Sequence, residues 1–186
     1  MRLRKYKKPR KIRKTILVIC EGETERAYIE MLKRDYRLPV TIKSKVVGNK
    51  INKRLINQYL KELQVEYSED VVIVFVYDSD VETIVDRLKE LNGLLILSNP
   101  CIELWFLLHA GNQERSISSD DVVKLLISSS SEWQNYNKGL LSTKQVETLL
   151  RDKKDAIERA RKLQWPNNPS SNMYQFIEIL ENEKNA

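Results

Sequence analysis

Val71-Val72-Ile73-Val74-Phe75-Val76-Tyr77-Asp78-Ser79-Asp80 decides the fold: an apolar run that ends abruptly in two acids. The pattern has a counterpart upstream, where Thr15-Ile16-Leu17-Val18-Ile19-Cys20 runs directly into Glu21-Gly22. Both runs are short and rich in β-branched and aromatic side chains. That composition suits strands buried on both faces of a parallel sheet. In open α/β sheets ligands bind outside the carboxyl ends of the strands. Acids from two separate strand ends are therefore expected to share one edge.

Working outward, Thr24 to Arg34 has helical spacing, with Ala27, Tyr28, Met31 and Leu32 on one stripe, and Leu38-Pro39 breaks it. Thr41 to Val47 alternates as a second strand, and Gly48-Asn49 turns the chain. Ile51, Leu55, Ile56, Tyr59, Leu60 and Leu63 recur at helical spacing before the run at 71–77. Another helix passes through Ile84, Val85, Leu88 and Leu91 and ends at Asn92-Gly93. Leu94 to Leu97 reads as a fourth strand. Ser98-Asn99-Pro100 then opens a helix carrying Glu103, Trp105 and His109, with Pro100 suited to its first turn. The order β-α-β-α-β-α-β-α predicts a Rossmann-like α/β fold with a mostly parallel, right-handed, four-stranded sheet flanked by helices.

Beyond Ala110 the strand signal disappears. Val122 to Leu126 reads as helix, Ser128 to Ser131 and Trp133 to Gly139 as loop. Ser142 and Gln145 form a capping box that predicts one long helix to about Leu163. Trp165-Pro166 and Asn167 to Ser171 interrupt it, and Met173 to Glu181 is a last amphipathic helix. The expected organisation is a basic, disordered tail over 1–14, an α/β core over 15–110, and a helical extension over 111–186 packed on the core.

The 186 residues are 41% hydrophobic, enough for one compact core. No stretch is apolar for the length of a membrane span, and the charged N-terminus is unlike a secretory signal. Cys20 and Cys101 lack metal-site spacing and fit a reduced, cytoplasmic state. The net charge of +6 is uneven: Met1 to Lys14 holds nine Lys or Arg and no acid, which leaves the rest at −3. Such a tail, with Arg10 and Arg13 in it, suits phosphate binding by counterion release, and equally a solvated lead-in.

Asp78 and Asp80 are two residues apart, so in extended backbone their side chains leave on one side. Two carboxylates about 4 Å apart repel by roughly 4 kcal/mol at an effective dielectric near 20. A hard divalent ion, Mg²⁺ or Mn²⁺, relieves that repulsion and can act on a phosphodiester. Against this, Asp80 has the alternative of capping the helix that begins near Val81. Glu23, Glu25 and Glu82 have a simple explanation as first-turn acids, favourable to the helix dipole. Glu103, one turn into its helix, is within reach of the same edge. His109 lies two turns further on, which suits packing rather than catalysis. Lys50, Lys53 and Arg54 start a helix and are candidates for holding phosphate.

Other chemistries lack their signatures. There is no G-x-x-x-x-G-K-[ST] for nucleotide triphosphates and no G-x-G-x-x-G for dinucleotides. A receiver-type phosphoryl-aspartate would need acids where Glu21-Gly22 stands. A haloacid-type phosphatase would carry Asp-x-Asp on the first strand rather than the third.

An acid after strand one followed by Asp-x-Asp after a later strand resembles the TOPRIM domain of topoisomerases, primases and OLD-type nucleases. A closer likeness lies in Ile16 to Glu25, Tyr77 to Asp80, Ser98-Asn99-Pro100-Cys101-Ile102-Glu103-Leu104-Trp105, and Asn168-Pro169-Ser170-Ser171-Asn172. Together these resemble the RloB-like family, over nearly the whole chain from about Arg13. The resemblance implies a TOPRIM-type protein of abortive-infection, anti-phage systems, paired with a separate ATPase subunit. It implies Mg²⁺ or Mn²⁺ held by Glu21, Asp78 and Asp80, with Glu103 raised as a site residue and Glu25 and Glu82 as secondary candidates. The expected activity is metal-dependent hydrolysis of nucleic acid, DNA or RNA, by a soluble protein able to form oligomers. The alternative is a non-catalytic subunit that binds nucleic acid or the ATPase, through Trp133, Trp165 and Tyr174.

Overall fold

The computed structural model describes residues 14–38, 40–63 and 71–185. Arg10, Arg13 and the rest of the basic stretch before Lys14 lie outside the described residues, as does Pro39.

Four parallel strands form the expected sheet: β1 (Thr15–Cys20), β2 (Thr41–Val46), β3 (Val71–Asp78) and β4 (Leu94–Asn99). A fifth, β5 (Ser170–Ser171), adds antiparallel to β4 and was not anticipated. Two serines carry neither an apolar run nor a period, so no strand pattern marks them. The spatial order is β2-β1-β3-β4-β5. The chain therefore leaves β1 toward β2 and returns to β3 on the other side of β1. That reversal is the switch point at which such sheets bind ligands.

Alternation sorts the side chains. Ile16, Val18, Cys20, Val74, Val76 and Ile96 face one core; Leu17, Ile19, Ile73, Phe75, Tyr77 and Leu97 face the other. The first core packs against α1 (Glu23–Tyr36), α4 (Ile102–Ala110) and the C-terminal helices. The second packs against α2 (Lys53–Glu62) and α3 (Glu82–Lys89). The expected helix through Ile51 to Leu63 thus starts two residues later, because Gly48–Lys50 forms a 3₁₀ turn with Gly48 at φ 58°. Eight of the nine residues of α4 are buried, so it is a core rod rather than an amphipathic surface helix. Pro100 lies outside its first turn, because Cys101 is the N-cap.

The C-terminal part contains α5 (Ser119–Ser129), α6 (Thr143–Arg151), α7 (Lys153–Lys162) and α8 (Met173–Lys184). Ser128 and Ser129 close α5 instead of belonging to a loop, their hydroxyls donating back to the carbonyls of Leu125 and Leu126. The single helix expected from Ser142 to Leu163 is two, divided at Asp152. The Asp152 carboxylate is pinned by the Arg151 guanidinium at 2.8 and 2.7 Å, and such short acidic side chains favour helix ends. The capping box at the start of α6 is present: Gln145 N–H donates to Ser142 Oγ and Ser142 N–H to Gln145 Oε1. Ser142→Ala is expected to cost about 1 kcal/mol, read as a lower urea midpoint with unchanged slope. No described helix is long and apolar enough to cross a membrane.

Asn172 finishes the edge of the sheet. Its side-chain Oδ1 accepts the Leu97 N–H at 2.6 Å, its Nδ2 donates to Leu95 O at 2.9 Å, and its own N–H donates to Leu97 O at 3.1 Å. One amide side chain thereby imitates the next strand where β5 is too short to continue.

Candidate active site at the sheet edge

The first two acids meet because the ends of β1 and β3 are tied together. Glu21 N–H donates to Val76 O at 3.0 Å, and the Glu21 carbonyl accepts the Gly48 N–H at 2.9 Å. The Glu21 carboxylate then turns across the switch point, where Oε2 accepts the Asp78 N–H at 3.0 Å. Asp78 ends β3 opposite Ser98 of β4, and its Oδ1 is buried without a hydrogen-bond partner.

Glu25 is the third acid. It lies in the first turn of α1, as expected, but it is only 5% exposed, so a solvated first-turn role does not describe it. Its Oε2 accepts the N–H of Gly22, the N-cap, at 2.9 Å. A methyl group on Gly22 would stand 3.0 Å from that oxygen, so the glycine makes room for the close return.

Glu103 is the fourth, from the first turn of α4 and 1% exposed. Its Oε1 accepts a 2.8 Å hydrogen bond from Tyr136 OH, and the Lys138 ammonium stands 3.6 Å away. Both partners come from the loop between α5 and α6. Trp133 anchors that loop, stacked on Phe106 of α4 at 5.7 Å. Gly139 ties it to α1, donating its N–H to Thr24 Oγ1 at 2.9 Å in a left-handed conformation, φ 82°. Sequence reading passed over Tyr136 and Lys138. A loop has no period, and the only available signal was an aromatic beside a cation in a turn-rich stretch.

The electrostatics follow from burial and like charge. Desolvation pushes Asp78 up to about 9, with Glu25, Glu21, Glu103 and Asp80 adding repulsion in that order. Desolvation likewise raises Glu25 to about 7, opposed by its backbone hydrogen bonds and reinforced by Glu103 and Glu21. Glu21 is raised by burial and by Asp80, while the Asp78 amide pulls the other way. Burial alone would lower Lys138, but the charges of Glu103, Cys101 and Asp78 raise it on balance.

The remaining candidates sit further out. Asp80 is exposed and does not cap α3, whose N-cap is Val81 without a side-chain bond. Glu82 is an exposed first-turn acid. Lys50, Lys53 and Arg54 are exposed, on the turn that Glu21 and Tyr77 hold through Gly48 and on the start of α2. His109 is buried in packing: Nδ1 lies 2.9 Å from Trp105 O, and desolvation lowers it to about 4. Of the aromatics, Trp133 is core and Trp165 is exposed.

The donors facing the switch point are carboxylate oxygens. The free thiols of Cys20 and Cys101 are buried, and desolvation raises both. Such a set suits a hard ion such as Mg²⁺ or Mn²⁺ over zinc. Among the described residues, no three of the His, Cys, Asp and Glu side chains stand close enough to hold an ion together.

A family model described as RloB-like protein matches residues 16–180. The chain belongs to the RloB-like family. No curated protein and no solved structure gives a match. In this RloB-like chain the matched span takes in every strand end at the switch point, the Tyr136–Lys138 loop and the Asn172 edge.

Proposed function

We propose that this RloB-like protein is a divalent-metal-dependent phosphodiesterase that cleaves nucleic acid. The observation that carries the reading is Asp78, a largely buried carboxyl with an orphaned oxygen, facing the charge of Glu21, Glu25 and Glu103 at the switch point. So much uncompensated negative potential fits a bound cation. Glu21, Asp78, Asp80 and Glu103 are the residues that would hold Mg²⁺ or Mn²⁺, with Glu25 beside them. When bound, the ion neutralises charge on the phosphodiester and favours ionised water.

The chain's own groups do the rest. Asp78 N–H fixes one oxygen of Glu21, leaving the other to take a proton from an attacking water. Tyr136 holds Glu103 as the rear wall of the site. Lys50, Lys53 and Arg54, with Arg10 and Arg13, steer the phosphate backbone toward the edge. The same proposal includes the TOPRIM assignment, an anti-phage role and a separate ATPase partner, all of which rest on the family resemblance.

Metal-supported cleavage of DNA, tRNA and other RNA tests the reading, with the ATPase present and absent. The wild type is expected to cleave at least one substrate with Mg²⁺ or Mn²⁺, and Glu21→Gln with Asp78→Asn to abolish it. Equal cleavage by both proteins refutes the assignment. The spacing of the carboxylates supports a second reading, a regulatory subunit that binds nucleic acid or the ATPase without chemistry. Calorimetry showing no divalent binding into the millimolar range would favour it.

A further inference from the structure

We propose that Lys138 is a tethered counter-cation that makes binding of the divalent ion and of a nucleic-acid phosphate cooperative. The inference rests on the metal reading above and adds a residue and a coupling to it. Lys138 belongs to neither strand end. It is delivered by the loop between α5 and α6, whose backbone is fixed on both sides: Tyr136 bonds Glu103 at 2.8 Å, and Gly139 bonds Thr24 at 2.9 Å. The side chain between these anchors is 61% exposed, and its ammonium is 3.6 Å from Glu103 Oε1, beyond hydrogen-bonding range. Backbone and head group therefore differ: one is held, the other is free to swing.

Glu103 is the only ion-pair partner of Lys138 among the described residues. Its own side chain is 2% exposed, so the lysine is the solvent-facing counter-charge of a buried acid. An ion that binds Glu103 and Asp78 brings two positive charges to within a few ångströms of a third. The ammonium is then repelled while its partner is engaged elsewhere. A long, flexible stem lets it move outward to the next available anion. At the mouth of a phosphodiesterase site that anion is a backbone phosphate. Ion binding thus frees the lysine for the phosphate, and phosphate binding removes the lysine that opposes the ion. Such coupling is reciprocal by linkage.

The test is calorimetric titration of Mn²⁺ into the full chain, alone and with cleavage-resistant phosphorothioate oligonucleotides of DNA and RNA. Lys138→Gln is expected to bind Mn²⁺ about 5- to 10-fold more tightly than wild type without oligonucleotide. The oligonucleotide is expected to tighten Mn²⁺ binding to wild type by a similar factor and to leave Lys138→Gln nearly unchanged. Lys138→Arg should keep the coupling. Lys124→Gln, which removes an equal charge on α5 where Lys124 pairs with Asp121, should behave as wild type. Equal Mn²⁺ affinity in wild type and Lys138→Gln, or equal enhancement by oligonucleotide, overturns the inference while the metal reading stands. A wild type that binds no Mn²⁺ overturns both.

Discussion

Asp78→Asn is expected to make the metal-free protein more stable and to leave it without cleavage activity. The two outcomes share one cause. Folding places the Asp78 carboxyl where its pKa is about 9, far above the ordinary 3.8. A group that binds its proton more tightly when folded adds stability at low pH, and that contribution drains away as pH rises between those two values. At pH 8 the wild type therefore carries a penalty that an amide does not. Each pKa unit corresponds to about 1.4 kcal/mol, and relaxation of the site recovers part of the total. A net gain on the order of 3 kcal/mol is expected at pH 8, equivalent to roughly 6–12 °C in Tm for a chain of this size. The gap should close steadily toward pH 4. Differential scanning calorimetry in the presence of a chelator at several pH values reads it directly. A variant less stable than wild type at pH 8 would mean that the Asp78 carboxyl is satisfied in a way its unpartnered Oδ1 does not suggest. Addition of Mn²⁺ should reverse the order, because the ion stabilises only the protein that binds it. Cleavage should fall by about 10³-fold, as expected where a charge aimed at the reacting centre is lost.

Asn172→Ala is expected to destabilise the protein by about 2–4 kcal/mol without touching an acid. The alanine leaves Leu97 N–H and Leu95 C=O of β4 without their side-chain partners. Unpaired backbone groups next to a core cost the full desolvation penalty rather than the small net value of a bond. Gln175→Ala, which removes only the 3.2 Å contact outside the strand, should be almost silent. Urea denaturation separates the two. The variant should also scatter more light at high concentration, because an open β4 edge invites pairing with another chain. Equal midpoints for the two variants would show that water replaces the amide at no cost.

Much of this was legible in the chain. Two apolar runs ending in Glu21 and Asp78 placed both acids at one sheet edge, because buried strands advertise themselves by composition. Ser142 and Gln145 announced the start of α6, because that motif is local. The misses share a different character. Glu25 has the sequence position of an ordinary first-turn acid, and only the packing of α1 against α4 buries it opposite Glu103. Asp152 divides a periodic stretch through its pairing with Arg151, which a hydrophobic pattern does not register. Ser170 and Ser171 pair with β4 although neither is a strand former, because Asn172 and the loop before it hold them there. Lys138 lies more than thirty residues beyond Glu103, and only the stacking of Trp133 on Phe106 brings its loop home. Short-range chemistry was readable; coincidence in space between distant segments was not.

The charged edge draws on Glu21, Glu25, Asp78, Glu103 and Lys138, which span more than half of the polypeptide. Ribosomes release a chain from its N-terminus, and domains fold as they emerge. A nascent chain that has presented β1 to β4 already carries four repelling carboxylates, yet still lacks the aromatic clamp and the cation that steady the last of them. Any chemistry done at this edge therefore waits until the loop beyond α5 has been made and docked. A truncated or half-made product would be inert, a built-in safeguard for a cell that synthesises it.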